Sequence, residues 1–249
     1  MIDSHAHLGK WFNFYYDGGD FLSMVKIMDR IGMESAWISA LISIGPDYEL
    51  GNEMVFEAIK AFPDRFKGYV TLSPYFADKM EEELNKRISQ GFIGIKLHPG
   101  THLYPIDGVN YLYAYKYANE HRLPILIHTW GEHDIRAIIE VAKSYQNAIF
   151  LMGHSGGDLR SMLLAVELAR DVNNVYLDLT GSAMYNGIIE YYVDRIGSER
   201  ILFGTDFPFI DPRPSIGWVK SSRISEEDKL NILQGNARRI LKSILAGHF

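Results

Sequence analysis

Four histidines and one aspartate stand where short apolar runs of the chain end. His5 and His7 close the first run, His128 and His154 close later ones, and Asp206 comes at the end of the last. Residues two apart on a strand point to the same face, so His5 and His7 can reach one ion together. Neutral imidazole and carboxylate groups bind zinc and other divalent transition metals. The set predicts a metal centre with an open coordination position for water or substrate.

A second pair of candidates lies near the middle of the chain. Lys96 and His98 are two apart in the segment Gly94-Ile95-Lys96-Leu97-His98-Pro99, so both can face the same interior. Lys96 is interpreted either as a cation that binds a substrate carboxylate or as a paired structural lysine. We expect His98 to contact the metal or the substrate.

Composition limits the classes of protein to consider. The chain has 249 residues, of which 47% are hydrophobic, and its formal net charge is −6. Without a basic cluster, binding to nucleic acid or to an anionic membrane is not supported. The chain has no cysteine, which excludes disulfides and cysteine zinc sites. Because the polar motif begins almost at residue 1, we expect no cleavable leader and a cytoplasmic location. We expect a small-molecule substrate, and homo-oligomerisation stays open.

The elements that must position these side chains form a repeat. Eight apolar runs lie near residues 2–7, 35–42, 66–72, 92–97, 124–128, 148–153, 174–179 and 200–205. Most lack strict alternation, as is typical of parallel strands buried on both faces. Segments of helical periodicity separate them: one from Phe21 to Ile31 that Gly32 ends, one opened by Asp158 and one opened by Ser225.

Such a repeat indicates a closed parallel barrel or a doubly wound sheet. Length favours the barrel, since one (β/α)₈ barrel takes about 250 residues. We therefore predict one (β/α)₈ TIM-barrel domain over residues 1–249. In that fold the carboxyl ends of the strands meet at one mouth, where active sites are built. The histidines and the aspartate are then expected to converge there.

The ordered motifs resemble those of the amidohydrolase superfamily, and more narrowly its amidohydrolase-2 branch of metal-dependent hydrolases and decarboxylases. The resemblance covers essentially the whole chain. It is carried by His5-x-His7, Gly94-Ile95-Lys96-Leu97-His98-Pro99, Leu126-Ile127-His128, Gly153-His154, Thr205-Asp206 and Gly235-Asn236-Ala237.

The resemblance implies one or two divalent metal ions, with zinc preferred and manganese or another divalent ion as the alternative. It makes His5, His7 and His128 metal ligands. It makes Asp206 a ligand or the proton acceptor for metal-bound water, and His154 a second-metal ligand or a general acid beside the substrate. One further role follows by resemblance: Lys96 as a carbamylated bridge between two metals. His98, by its position just before Pro99, is a candidate for contact with a second metal or with the substrate. We favour a non-bridging Lys96.

Two enzymatic interpretations follow, and one that is not enzymatic. The leading hypothesis is a hydrolase that cleaves an ester, amide or lactone-like bond with metal-activated water, with Asp206 handling the proton and His154 supporting the developing charge. The alternative is a non-oxidative decarboxylase of an aromatic or unsaturated acid, in which Asp206 or His154 delivers a proton to carbon. A barrel that only stores metal or serves as an assembly subunit is the third.

The loop after the first strand is rich in aromatic residues, namely Trp11, Phe12, Phe14, Tyr15 and Tyr16. It is interpreted either as a wall or lid of an apolar pocket or as a plug or oligomer contact. Further residues are expected at the mouth by position alone: Trp130, Tyr104, Tyr185, Phe207, His102 and His133.

Overall fold

Eight parallel strands form one sheet in which each strand pairs with the next along the chain. The computed structural model describes residues 1–13, 15–181 and 184–246. The strands are β1 Ile2–Leu8, β2 Ser35–Ala40, β3 Phe66–Thr71, β4 Gly94–Leu97, β5 Pro124–Trp130, β6 Ile149–Gly156, β7 Val175–Asp178 and β8 Ile201–Leu202. Almost every strand residue is buried, as the lack of alternation in the sequence predicts.

The sheet closes where the first strand meets the segment that follows β8. The backbone N–H of Ser4 donates to the carbonyl of Phe203 at 2.8 Å, and the N–H of Asp206 donates to the carbonyl of His5 at 2.9 Å. These bonds join the two edges that an open sheet would leave unpaired. The predicted (β/α)₈ barrel is therefore confirmed, and the doubly wound alternative is wrong.

Helices cover the outside of the barrel. They are α1 Phe21–Ile31, α2 Leu41–Ile44, α3 Tyr48–Ala61, α4 Met80–Ser89, α5 Pro99–His102, α6 Leu112–His121, α7 Gly131–Ser144, α8 Leu159–Ala169, α9 Ile188–Ile196, α10 Pro212–Ser221, α11 Glu226–Leu230 and α12 Asn236–Ala246. Short 3₁₀ segments lie at Pro74–Lys79, Val109–Tyr111 and Ser198–Arg200, and a π-helical turn at Asn231–Gly235. Among the described helices none is long and apolar enough to cross a bilayer.

The predicted helix ends agree with the structure. Gly32 ends α1 in the left-handed conformation, with φ 70°, and its N–H donates to the carbonyl of Met28. The Asp158 side chain accepts the N–H of Ser161 at the start of α8. Ser225 begins α11 with a full capping box. Each cap satisfies a backbone group that the helix itself leaves without a partner.

The last strand is shorter than the apolar run near residues 200–205 suggests, since β8 spans only Ile201–Leu202. The residues after it bond to β1 instead of continuing a ladder, and Asp206 takes a left-handed φ of 60°. This backbone turn directs the Asp206 side chain into the barrel mouth, beside the imidazoles of β1.

Candidate metal centre

The carboxylate of Asp206 lies between the two imidazoles of β1. Its Oδ1 is 3.1 Å from Nε2 of His7 and 3.3 Å from Nε2 of His5. One ligand atom from each of the three residues lies within 4.8 Å of the others, and all three residues are buried. The structure thus brings together ligands that are about 200 positions apart in the sequence.

The three atoms fit a divalent metal. Zinc lies about 2.0–2.2 Å from nitrogen and oxygen ligands, so the ligand atoms of a tetrahedral site are about 3.3–3.6 Å apart. The two measured distances, 3.1 and 3.3 Å, are close to that spacing. In addition, the buried Nδ1 of His154 has no hydrogen-bond partner among the described residues and lies 3.8 Å from Oδ2 of Asp206. A cation or substrate at this point would complete the contacts of the group.

In both histidines of β1, the ring nitrogen that faces away from Asp206 makes a hydrogen bond. Nδ1 of His5 lies 2.7 Å from Oδ2 of Asp178, and Nδ1 of His7 lies 3.1 Å from Oγ of Ser39. When Nδ1–H of His5 donates to the carboxylate, the lone pair of Nε2 is directed at Asp206 and the space beside it. Metal-binding histidines are normally oriented by such a carboxylate.

Asp178 does more than orient His5. Its Oδ2 also accepts the backbone N–H of His154 at 3.2 Å, and its Oδ1 accepts the N–H and the hydroxyl of Thr180 at 3.2 and 2.8 Å. Gly204 packs against this carboxylate so closely that a Cβ at that position would overlap the side chains of Asp178 and Thr180. Glycine at 204 is therefore required by close approach rather than by a turn.

His154 and Asp206 both adopt left-handed backbone angles, φ 63° and 60°. Residues other than glycine avoid this region at a cost of roughly 1–3 kcal/mol each, and such residues concentrate at functional sites. Here the hydrogen bonds of both backbone N–H groups, to Asp178 and to the carbonyl of His5, hold the two residues in place. Backbone strain at both of these residues, whose side chains are neighbours in the site, supports a functional role for each.

Lys96 of β4 is fully buried, and its Nζ lies 3.0 Å from Nε2 of His5. It therefore donates to the same nitrogen that faces Asp206. A cation bound at this nitrogen would displace the Lys96 hydrogen bond, so Nζ would have to shift towards the carboxylates of Asp178 or Asp206. Burial lowers the pKa of Lys96 to about 8, while the two aspartates oppose that shift.

Burial keeps the imidazoles neutral, which is the form that binds metals. Loss of water lowers the pKa of His7 and His154 and places that of His5 well below its usual value, with charge repulsion from Lys96 as a further cause for His5. Burial acts to raise the pKa of Asp206, but His154, His7 and Lys96 outweigh it and hold that pKa below the usual value. Asp206 is thus an ionised carboxylate among neutral imidazoles.

Two further carboxyl groups lie in the same buried region. Burial raises the pKa of Asp178 to about 7, against the hydrogen bonds from Thr180 and His154 that favour its ionised form. Burial also places the pKa of Asp3 well above its usual value. The side chain of Asp3 accepts the hydroxyl of Thr205 at 2.5 Å and the backbone N–H of His5 at 3.0 Å. It braces the backbone of β1 and of the segment that follows β8.

A second group of imidazoles lies beside the first. The rings of His98 and His128 stack with centroids 3.9 Å apart and an angle of 15°, and the ring of His154 lies 4.5 Å from that of His128. His128, expected as a ligand by resemblance, is not in the compact three-residue group with His5, His7 and Asp206. Its ring lies between those of His98 and His154.

A cavity of about 180 Å³ opens between the two groups. Its polar side is formed by His7, His98, His128, His154 and Asp206, and its apolar side by Trp11, Leu41, Ile44 and Phe209. Small-molecule sites typically combine an apolar wall with a few placed polar groups in this way. The cavity therefore offers a small molecule one apolar side and one polar side.

The aromatic residues expected near the mouth have different positions. Trp11 lines the cavity, which supports the pocket-wall interpretation, whereas Phe12 and Tyr15 are exposed; Phe14 lies outside the described residues. Tyr16 is half-buried and donates its hydroxyl to the carbonyl of Gly9.

Of the residues expected at the mouth by position alone, Trp130 stands at the rim, 6.0 Å from the ring of His154 and 57% exposed. Tyr185 lines a separate cavity, Tyr104 packs against Tyr111, and Phe207 is fully buried.

The two remaining histidines expected near the mouth take no part in the cavity. His102 is buried, with its Nδ1 2.9 Å from the hydroxyl of Tyr111. His133 was expected in a loop, and this is wrong: it lies exposed in the first turn of α7, because Gly131 already begins the helix.

Sequence reasoning missed Asp178 and, apart from Trp11, the apolar side of the cavity. Asp178 did leave a signal, as the one charged residue in the apolar run Val175-Tyr176-Leu177-Asp178-Leu179. Leu41, Ile44 and Phe209 left none, because apolar residues after a strand are common in every part of a barrel.

Comparison with known proteins agrees with this geometry. A family model described as amidohydrolase matches residues 2–242. The sequence is 23% identical over 284 residues to gamma-resorcylate decarboxylase of Rhodococcus jostii (strain RHA1), and the alignment covers 88% of this chain and 86% of that protein.

Solved structures show the same fold. An uncharacterised TIM-barrel protein from Bordetella bronchiseptica superposes with a TM-score of 0.80 at 17% identity, covering 98% of each chain. A dihydroxybenzoic acid decarboxylase from Polaromonas sp. JS666, with bound manganese and the inhibitor 2-nitroresorcinol, superposes with a TM-score of 0.73 at 19% identity, covering 97% of this chain and 96% of that one. With a family model that spans nearly its whole length, this chain belongs to the amidohydrolase family, in its amidohydrolase-2 branch.

Proposed function

We propose that this protein is a metal-dependent, non-oxidative decarboxylase of a small aromatic carboxylic acid. The observation that carries the choice of reaction is the similarity to gamma-resorcylate decarboxylase, which extends over 88% of this chain. The cavity supports the choice of substrate, because its apolar side suits the faces of an aromatic ring while its polar side suits a carboxylate.

The residues in our metal proposal are His5, His7 and Asp206, with His128 as a further ligand if its ring moves towards the group. Zinc and manganese both accept imidazole and carboxylate ligands, and the structurally similar Polaromonas enzyme holds manganese. A bound divalent ion would supply the positive charge that anchors the substrate carboxylate. The Lys96 ammonium, displaced from His5, would add to the same positive field.

The remaining work falls to Asp206 and His154. Decarboxylation replaces the carboxylate on a ring carbon with a proton. His154 takes up a proton from solvent, its imidazolium is stabilised by the Asp206 carboxylate 3.8 Å away, and it transfers that proton to the ring carbon. The carbon–carbon bond then breaks, its electron pair returns to the ring, and carbon dioxide leaves. The apolar wall of Trp11, Leu41 and Phe209 excludes water from the ring during this step.

Hydrolysis, the leading interpretation of the sequence, would use the same residues with Asp206 taking a proton from water. The named relative favours decarboxylation instead. Isotopes separate the two reactions. The protein loaded with manganese or zinc is incubated with a panel of hydroxybenzoates in D₂O, and released carbon dioxide and ring deuteration are measured. We expect one deuterium at the carbon that lost the carboxylate. A parallel incubation uses the methyl esters of the same acids in ¹⁸O-labelled water. Ester cleavage with incorporation of ¹⁸O, together with no carbon dioxide from any acid, would overturn the proposal.

A further inference from the structure

His98 lines the cavity and is also the N-cap residue of the short helix α5. Its Nδ1 accepts the backbone N–H of Thr101 at 3.2 Å. Pro99 at the first position of the helix fixes the backbone angle that this cap requires. The orientation of the imidazole is therefore set by the main chain and not by solvent.

This cap also fixes the tautomer of His98. A nitrogen that accepts an N–H cannot carry a proton, so the single proton of the neutral ring must be on Nε2. With that proton in place, Nε2 has no lone pair to offer a metal ion. While the cap persists, His98 can act through Nε2 only as a hydrogen-bond donor.

The surroundings of the ring hold this donor at the cavity. His98 is stacked on His128 with centroids 3.9 Å apart, so the ring cannot rotate freely. It lines the same cavity as Asp206 and His154. Among the described residues, the hydrogen bond found for this imidazole is the one that its Nδ1 makes to Thr101, which leaves Nε2 for an occupant of the cavity that His98 lines.

We propose that His98 is a specificity-determining residue whose fixed Nε2–H donates to an acceptor atom on the substrate ring, and that it is not a ligand of a second metal. The proposal rests on the proposed function in one respect only, namely that the occupant of the cavity is an aromatic acid. A fixed donor favours an oxygen substituent over a carbon substituent of equal size at one ring position.

The test compares isosteric ligands. Dissociation constants of 2-, 3- and 4-methoxybenzoate and of the three matching ethylbenzoates are measured by calorimetry on the metal-loaded protein. Two variants are compared with the wild type. His98→Asn keeps a cap for Thr101 but withdraws the ring donor, and His98→Phe keeps the ring against His128 but has neither cap nor donor.

At one ring position we expect the methoxy-to-ethyl preference of the wild type to exceed that of both variants about tenfold, the worth of one hydrogen bond. Elemental analysis should give the same metal content per chain in all three proteins. An equal preference in wild type and variants, or loss of one metal equivalent in His98→Asn, would overturn the role of His98.

Failure of the proposed function gives a different result. If the preference is present and depends on His98 but no aromatic acid loses carbon dioxide, the donor role stands and decarboxylation is wrong. If no benzoate binds to the wild type at any concentration tested, both proposals are wrong.

Discussion

At the scale of single residues, the centre depends on hydrogen bonds that fix which atom of each side chain faces the cavity. Asp178 and Ser39 hold the histidines of β1, and the left-handed backbone of Asp206 turns its carboxylate towards both. Histidines at strand ends are visible in a sequence. Asp178 was missed because its contact with His5 spans 173 positions, and no local pattern encodes such a pairing.

Asp206→Asn tests the central carboxylate. The amide has the same shape but cannot ionise, so it would neither balance the charge of a bound metal nor stabilise a protonated His154, and we expect carbon dioxide release to fall by about 10²-fold or more. The free energy of unfolding, measured with urea, should change little. Asp194→Asn, at an exposed position in α9, is the matched control and should keep full activity. Near wild-type turnover in Asp206→Asn would contradict the role given to this residue.

Asp178→Asn tests the support behind His5. An asparagine cannot accept hydrogen bonds from His5, His154 and Thr180 together, and the imidazole loses its negative partner. We expect zinc affinity, measured by competition with a chromogenic chelator, to fall about 10–100-fold. Thr180→Val removes only one donor to the far oxygen and should have a smaller effect. Unaltered zinc affinity in Asp178→Asn would show that His5 needs no orientation.

At the scale of elements, loops and caps decide where strands and helices stop. Sequence patterns located all eight strands and the capped ends of α1, α8 and α11, because apolar runs and capping residues act locally. The same patterns overestimated β8. Its end is set by hydrogen bonds to β1 across the closure of the barrel, which are interactions between the first and last strands and so are absent from any local window.

Asp158 offers a test of one such cap, and of its pH dependence. Hydrogen bonds from Ser161 lower the pKa of Asp158 below its usual value. The ionised cap thus stabilises the protein above the pKa of the unfolded chain, and this stabilisation disappears as pH falls through the lower folded value. We expect Asp158→Ala to lower the free energy of unfolding by about 1 kcal/mol at pH 7.

In urea titrations the deficit of Asp158→Ala should shrink in acid. Asp158→Asn is the control, because asparagine caps helices without ionising. A deficit that stays constant down to the pH where Asp158 is protonated would mean that the carboxylate charge contributes nothing to the cap.

At the scale of the whole molecule, the barrel was predictable because eight strand–helix repeats in about 250 residues fit few other folds. The cavity was predictable only in part: the aromatic loop with Trp11 suggested a pocket wall, but Leu41 and Ile44 in α2 and Phe209 after β8 carry no distinctive spacing. The sequence ranked hydrolysis before decarboxylation, and the named relative favours the reverse order; residues alone do not separate the two reactions, because both use the same set.

Removal of the metal should lower the stability of the whole fold. A ligand that binds only the folded state, present at 100 times its dissociation constant, adds about 2.7 kcal/mol to stability. For a chain of this size we expect chelation to lower the melting temperature by about 5–11 °C. Calorimetry with and without added manganese or zinc measures the shift, and His7→Asn should reduce it strongly. Identical melting of the loaded and chelated wild type would contradict a metal at this position.

The ligand atoms of the three-residue group come from opposite ends of the polypeptide, His5 and His7 near its start and Asp206 near its close. During synthesis the two imidazoles leave the ribosome about 200 residues before Asp206 does. A nascent or truncated chain therefore carries histidines but no assembled centre. The three-residue group is complete only when the segment after β8 docks beside β1, so we expect metal binding at this group to depend on closure of the barrel.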